Sequence, residues 1–207
     1  MAQGQGYECQ LHGGGAEAMK LSVDQLTIAR ILRVNHAGEH CAIRIYAAQI
    51  AVSRLLYNDI SSNLDDIRQH EINHRKLFRD AMKTRSARPC RAMFLWGWGG
   101  YLLGFVTALL GRRMIWICTE AVEMAVHRHL EEQLHFLKAK DYELHKLILS
   151  IQQEELNHLS EAASKAGKES AIRKLALTFI GKITDTLIWL STWGASSRLA
   201  KQFKETV

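Results

Sequence analysis

A single proline, Pro89, interrupts a chain of 207 residues. Runs of β-branched residues are few, and apolar residues recur at spacings of three and four. This excludes a sheet protein with proline-punctuated loops and predicts an all-α fold. Cysteine is also scarce. The four are Cys9, Cys41, Cys90 and Cys118, and none forms a C-x-x-C pair. A cysteine-rich iron module is therefore excluded. In a chain long enough to bury its own core, these residues read as free thiols in a reducing compartment. No G-x-G-x-x-G is present, which excludes a dinucleotide fold of the chain's own. Lysine and arginine exceed the acids by 27 to 21, a net charge of +6. They are scattered, with no dense basic helix. That argues against nucleic acid as a partner and leaves anionic lipid as the match for the charge. The first twenty residues hold one lysine, no arginine, Glu8 and Glu17. They lack the arginine-rich, acid-poor character of a transit peptide and read as a disordered tail.

Charge is missing altogether from residues 92–111, a run of twenty. As a helix it would be about 30 Å long, enough to span a bilayer. Trp96, Trp98 and Tyr101 suit a membrane interface. Helical patterns both precede and follow the run, however, so one crossing would split the chain between two sides of a membrane. The run is expected to dip into one leaflet or to be buried as core. Gly97, Gly99, Gly100, Gly104 and Gly111 suggest a bent segment.

What is present is a repeat. Glu71/His74 and Glu155/His158 are Glu-x-x-His pairs, and each has a glutamate 32 residues upstream, Glu39 and Glu123. Glu-x-x-His alone is weak, since 14 Glu and 10 His give about 0.7 such pairs by chance. A third pair, Glu132/His135, has Gly100 at the corresponding upstream position. The repeated interval is the specific signal. It fits a duplicated helical hairpin that presents two Glu and one His from each half. Such a ligand set belongs to a carboxylate-bridged di-iron or di-manganese centre in a four-helix bundle.

The helices that carry these residues are legible in outline. The first runs over about 22–57, with a capping box from Ser22 and Gln25. Its inward stripe is Leu32, His36, Glu39, Ile43, Tyr46 and Ile50. A buried carboxylate in that stripe needs a partner, and Arg33 or Arg44 is the alternative to a metal. Residues 58–63 read as a turn, followed by a second helix to about 85 with Ile67, Glu71, His74 and Phe78 inward. A third helix over 113–140 carries Trp116, Glu120, Glu123, His127, Leu130 and Leu134. Glu120 competes with Glu123, and the 32-residue interval selects Glu123. His127 and His129 could stand behind the ligands, although a core or surface histidine is the commoner outcome, while Glu131 and Glu132 are expected in solvent. A fourth helix starts at the cap Asp141 and stops at Gly167, with Leu144, Ile148, Ile151, Glu155, His158 and Ala162 inward. Glu154 falls at the bundle edge. A last amphipathic helix, about 169–193, has an apolar stripe of Ile172, Leu175, Ala176, Phe179, Ile180, Ile183, Leu187 and Leu190, broadened by Trp189 and Trp193. It either covers the bundle or lies on a membrane. Residues 21–195 are read as one domain and 196–207 as a frayed basic tail.

Arg33-Val34-Asn35-His36-Ala37-Gly38-Glu39, with Arg44-Ile45-Tyr46, resembles the first ligand helix of the Coq7 family of demethoxyubiquinone hydroxylases. Cys118-Thr119-Glu120-Ala121-Val122-Glu123 and Glu154-Glu155-Leu156-Asn157-His158 resemble its third and fourth ligand segments. The likeness covers about residues 21–190. It implies a ferritin-like four-helix bundle with an apolar crossover and two iron ions. Glu39 and Glu123 would be terminal ligands, Glu71 and Glu155 bridging ligands, and His74 and His158 one ligand to each iron. It also implies O₂ as co-substrate, a polyprenylated demethoxyquinol as substrate, and a membrane surface as workplace. Two electrons per turnover would come from an external donor, and ubiquinone-biosynthesis partner proteins or a homo-oligomer fit the same picture. The start of the chain favours the cytoplasmic face of a bacterial inner membrane over the matrix face of the mitochondrial one. His40 and Cys41 stand where the family often has Tyr and Gly, and are expected to affect packing. The competing class with the same ligands is a ferritin-like iron-storage or peroxide-detoxifying protein, which would not need residues 92–111 or the last helix.

Overall fold

The computed structural model describes residues 21–192 and 194–204. Seven helices follow one another: α1 (Val23–Leu56), α2 (Asn58–Lys83), α3 (Met93–Leu109), α4 (Arg112–Leu137), α5 (Tyr142–Lys165), α6 (Ala171–Ser191) and α7 (Ala195–Lys204). No strand occurs among the described residues. Helix α1 starts as predicted: the Ser22 hydroxyl accepts from Gln25 N–H at 3.2 Å, and Ser22 N–H donates to the Gln25 side chain at 2.8 Å.

The turn expected over 58–63 does not form. Tyr57 alone breaks the helix (φ −145°, ψ 52°), and α2 begins at Asn58. Its polar residues are those of a helix start. Ser61 Oγ donates to the Asn58 carbonyl at 2.8 Å, and Asp59 places negative charge in the first turn. At the other hairpin Asp141 caps α5, accepting from Leu144 N–H at 3.0 Å, and Arg85 from the end of α2 donates to both its oxygens. Gly167, at φ +74°, lies just past the end of α5, as predicted.

The bundle is made by α1, α2, α4 and α5, and its core is divided. One apolar cluster holds Tyr46, Ile50, Leu64, Ile67, Ile115, Trp116 and Ala162. The other holds Leu32, Phe78, Leu130, Leu144, Ile148 and Ile151. Along each bundle helix the glutamates and histidines singled out above fall between the two clusters. The duplication also goes further than the hairpin. Helix α3 follows α2 and lies on α1, and α6 follows α5 and lies on α4. Leu103 of α3 and Leu177 and Ile180 of α6 pack into one further apolar cluster with Ile45, Cys118 and Ala121.

Residues 93–109 form one continuous helix. Their glycines serve close packing. Gly97, Gly100 and Gly104 are buried on the face of α3 that meets α1. A Cβ at Gly100 would lie 2.5 Å from the Cys41 carbonyl oxygen, and one at Gly104 would lie 2.2 Å from that of Ile45. Gly104→Ala is therefore expected to destabilise the protein by about 1–3 kcal/mol in chemical denaturation, because backbone cannot yield. Gly99, with open space around it, should tolerate alanine or gain up to about 1 kcal/mol.

Helix α6 departs from its apolar stripe. Arg173, Ile180 and Ile188 face the protein, while Ile172, Leu175, Phe179, Trp189 and Leu190 point outward. Helix α3 likewise exposes Phe94, Leu95, Trp98 and Leu102. No helix among the described residues is long and apolar enough to cross a membrane. The tail expected over 196–207 is helical through Lys204, where α7 packs on α4 and buries Leu199 in the second core cluster. A buried apolar anchor orders it despite its charge. The tail read over residues 1–20, along with Cys9 and Trp193, lies outside the described residues.

Candidate metal centre

Each bundle helix brings its ligand candidates inward by the three- and four-residue spacing of its apolar face. Glu39 comes from α1, Glu71 and His74 from α2, Glu123 from α4, and Glu155 and His158 from α5. All six are buried. They form two overlapping sets. Ligand atoms of Glu39, Glu71, His74 and Glu155 lie within 4.8 Å of one another, and so do those of Glu71, Glu123, Glu155 and His158. Glu71 and Glu155 belong to both.

The histidines point a defined nitrogen into the cluster. His74 Nδ1 is 3.0 Å from Glu155 Oε1 and 3.8 Å from Glu71 Oε2. His158 Nδ1 is 3.2 Å from Glu155 Oε2 and 3.5 Å from Glu71 Oε1. His74 Nδ1 and Glu71 Oε1 are buried with no hydrogen-bond partner of adequate geometry. Burying such atoms unpaired is costly, and a shared cation satisfies both.

The protons of the cluster are displaced from their ordinary places. Burial, reinforced by Glu71, holds the Glu39 carboxyl well above the usual range. Burial, with Glu155 and Glu71, does the same to Glu123. Burial would depress both imidazoles, but Glu155 and Glu71 push His74 up to about 10 and His158 up to about 9. Burial would raise Glu71, yet the neighbouring His158 and His74 imidazoles keep it below the carboxylate range. Fully deprotonated, the set carries four negative charges, which two divalent cations would balance. Oxygen-rich ligands with two imidazoles suit iron or manganese.

Several neighbours take other roles. Arg33 Nε donates to the Arg88 carbonyl at 3.3 Å, and Arg44 lies over the Tyr101 ring, so neither serves as the alternative partner for Glu39. Glu120 is claimed by Arg173, which donates to both its oxygens at 2.5 and 3.0 Å and ties α6 to α4. His127 pairs with Glu131 at 3.3 Å, away from the cluster. His129 lies 3.1 Å from both Glu132 and Asp185. Glu132 was expected in solvent but is buried, because α7 covers this side of α4. His40 and Cys41 do act through packing. The His40 ring lies against Gly97 and bonds Arg75 at 3.0 Å, and Cys41 lies against Gly100. Burial raises the Cys41 and Cys118 thiols to about 12, which makes both unreactive.

Three contacts escaped the sequence reading. Tyr46 O–H donates to Glu123 Oε1 at 3.1 Å. His74 Nε2 is 3.1 Å from Glu154 Oε2, and His158 Nε2 is 2.9 Å from His70 Nδ1. The last two have a sequence signal. His70 and Glu154 each stand one residue before a Glu-x-x-His, so each reaches the histidine of the opposite helix.

Comparison with known proteins bears on this geometry directly. The family model described as "Ubiquinone biosynthesis protein COQ7" matches residues 26–191, a span that contains all six residues. This chain belongs to the COQ7 family. Among curated members, the mouse "NADPH-dependent 3-demethoxyubiquinone 3-hydroxylase, mitochondrial" is 36% identical over 160 residues, covering 75% of this chain and 71% of the relative. The "3-demethoxyubiquinol 3-hydroxylase" of Rhodospirillum rubrum is 32% identical over 164 residues, 79% of this chain and 77% of the relative. The "5-demethoxyubiquinone hydroxylase, mitochondrial" of Saccharomyces cerevisiae is 31% identical over 181 residues, 80% and 76% respectively. The COQ7 resemblance first seen in the ligand segments thus extends over most of the chain, and the chain is an enzyme of a hydroxylase family.

Proposed function

We propose that this COQ7 member is a di-iron monooxygenase that hydroxylates the ring of a polyprenylated demethoxyquinol at a membrane surface. The observation that carries the reading is the sharing of Glu71 and Glu155 between two buried ligand sets. Glu39, Glu71, His74 and Glu155 would hold one cation, and Glu71, Glu123, Glu155 and His158 the other. Bound there, a pair of irons supplies the redox chemistry that combines O₂, two electrons and two protons into one ring hydroxyl and one water.

The protein's own contribution is positional. Tyr46 holds Glu123 through its hydroxyl. The apolar clusters at either end of the site exclude water and strengthen every charge interaction inside. With no dinucleotide motif in the chain, the electrons come from a donor that binds without one. The names of the mammalian relatives point to a reduced nicotinamide. Anaerobic loading with Fe(II), followed by O₂ and a short-tailed demethoxyquinol, should yield a product heavier by one oxygen atom. Loading of two irons with unchanged quinol mass would refute hydroxylation and favour storage.

A substrate with a long prenyl tail is insoluble in water, so the enzyme must meet it at lipid. The outward apolar faces of α3 and α6 supply that contact. Leu102 and Phe179 are 62% and 64% exposed, so replacing each with glutamate leaves the core untouched. The double variant should bind anionic liposomes at least about tenfold more weakly in co-sedimentation, since each buried side chain contributes roughly 1.5–3 kcal/mol. Unchanged binding would remove these faces from the membrane contact.

A further inference from the structure

The two halves of the cluster match in their ligands and differ directly behind them. His70 and Glu154 occupy equivalent places, one residue before Glu71 and Glu155 and four before His74 and His158. Each crosses to the other helix. Glu154 from α5 takes His74 Nε2 at 3.1 Å, and His70 from α2 takes His158 Nε2 at 2.9 Å with the two rings nearly parallel. Nδ1 of each histidine faces the carboxylates; with Nδ1 given to a cation, Nε2 would carry the remaining proton and donate outward. The acceptor is a carboxylate in one half and an imidazole in the other.

This difference has a direction. A carboxylate behind a metal-binding imidazole makes a charge-assisted hydrogen bond, fixes the ring and raises its basicity as a ligand. A second imidazole orients the ring but adds no charge. Tyr46 acts in the same sense, because its O–H draws density from Glu123, a ligand of the half that His70 backs. We infer that the two metal positions are unequal. The one built from Glu39, Glu71, His74 and Glu155 binds tighter and fills first, with Glu154 as its positioning residue. The one completed by Glu123 and His158, backed by His70, fills second. Glu71 and Glu155, shared by both sets, are ordered by the first ion for the second. This inference rests on the metal-pair reading above and adds an order of assembly to it.

The test is anaerobic calorimetric titration of the chelated full-length protein with Mn(II) at fixed pH. Wild type should show two steps separated by at least about tenfold. Glu154→Gln should weaken the tighter step by about 10–100-fold and leave the weaker one in place. His70→Glu, which puts a carboxylate behind His158, should tighten the weaker step toward the first. A merely structural role would not give that gain. Both side chains lie at the exposed edge of the bundle, so helical content and Tm should match wild type. Mössbauer spectra of protein loaded with ⁵⁷Fe(II) should show one quadrupole doublet at one equivalent and a second, distinct doublet at two. In His70→Glu the doublets should converge. Two Mn(II) ions bound with one affinity, or Glu154→Gln weakening both steps equally, would overturn the inequality while leaving the metal pair intact. No Mn(II) or Fe(II) binding by wild type would overturn the metal pair itself.

Discussion

Glu155→Ala is expected to bind fewer than two irons per chain and to hydroxylate no quinol above background. Glu155 is common to both ligand sets, so its loss removes an oxygen ligand from each position at once. It also removes the carboxylate 3.0 Å from His74 Nδ1 and 3.2 Å from His158 Nδ1, so both imidazoles lose a partner within the site. A ligand of only one position, such as Glu123, should leave one iron bound when replaced by Ala. Iron analysis after anaerobic loading, paired with product mass, separates the two cases. Two tightly bound irons or retained turnover in Glu155→Ala would rule out a bridging role.

Metal loading should raise Tm by roughly 8–16 °C at a thousandfold excess over Kd. That excess stabilises the folded state by about 4 kcal/mol, and each kcal/mol is worth roughly 2–4 °C in a chain of this size. Loading should also expel protons. His74 and His158, raised to about 10 and about 9, are protonated at neutral pH and must lose those protons to bind cations. Glu39 and Glu123, held above the carboxylate range by burial, add to the release. Calorimetry in buffers of different ionisation enthalpy should find roughly two to four protons released per metal pair near pH 7. Metal affinity should fall as pH falls, as protons reclaim the site.

The sign for the chelated protein follows from the same shifts. A group raised in the folded state stabilises the fold below its unfolded value, and that stability is lost as pH rises through the folded value. For His74 and His158 the loss spans roughly pH 6.5 to 10. Glu71, lowered in the fold, acts in the opposite direction and loses its contribution under acid. Chelated protein should therefore lose Tm steeply toward pH 10, while loaded protein, whose cations replace the protons, should not. Equal pH profiles for the two forms would contradict this.

The meeting of the six residues was legible because it rests on helical periodicity. A repeated interval of 32 residues and apolar neighbours at three and four residues suffice to bring Glu39, Glu71, His74, Glu123, Glu155 and His158 together. What the sequence hid depends on tertiary partners. The glycines of α3 suggest a bend until the α1 backbone is seen against Gly100 and Gly104. Asn58 and Ser61 suit a turn and a helix start equally, and only the break at Tyr57 decides. Glu132 and residues 196–204 read as polar surface because nothing local reveals that Leu199 anchors α7 over α4. The apolar residues of α6 form a helical stripe whichever way they face. That most of them face outward is fixed by Arg173, which turns inward to reach Glu120. His70 and Glu154 were visible as residues, but their partners lie across the bundle.

Anomalous diffraction from crystals loaded anaerobically with Mn(II) or Fe(II) tests the shared-carboxylate centre most directly. Two peaks about 3.5–4 Å apart, with Glu71 and Glu155 contacting both, are the expected result. A single peak, or two peaks held by separate halves of the protein with no shared carboxylate, would contradict it.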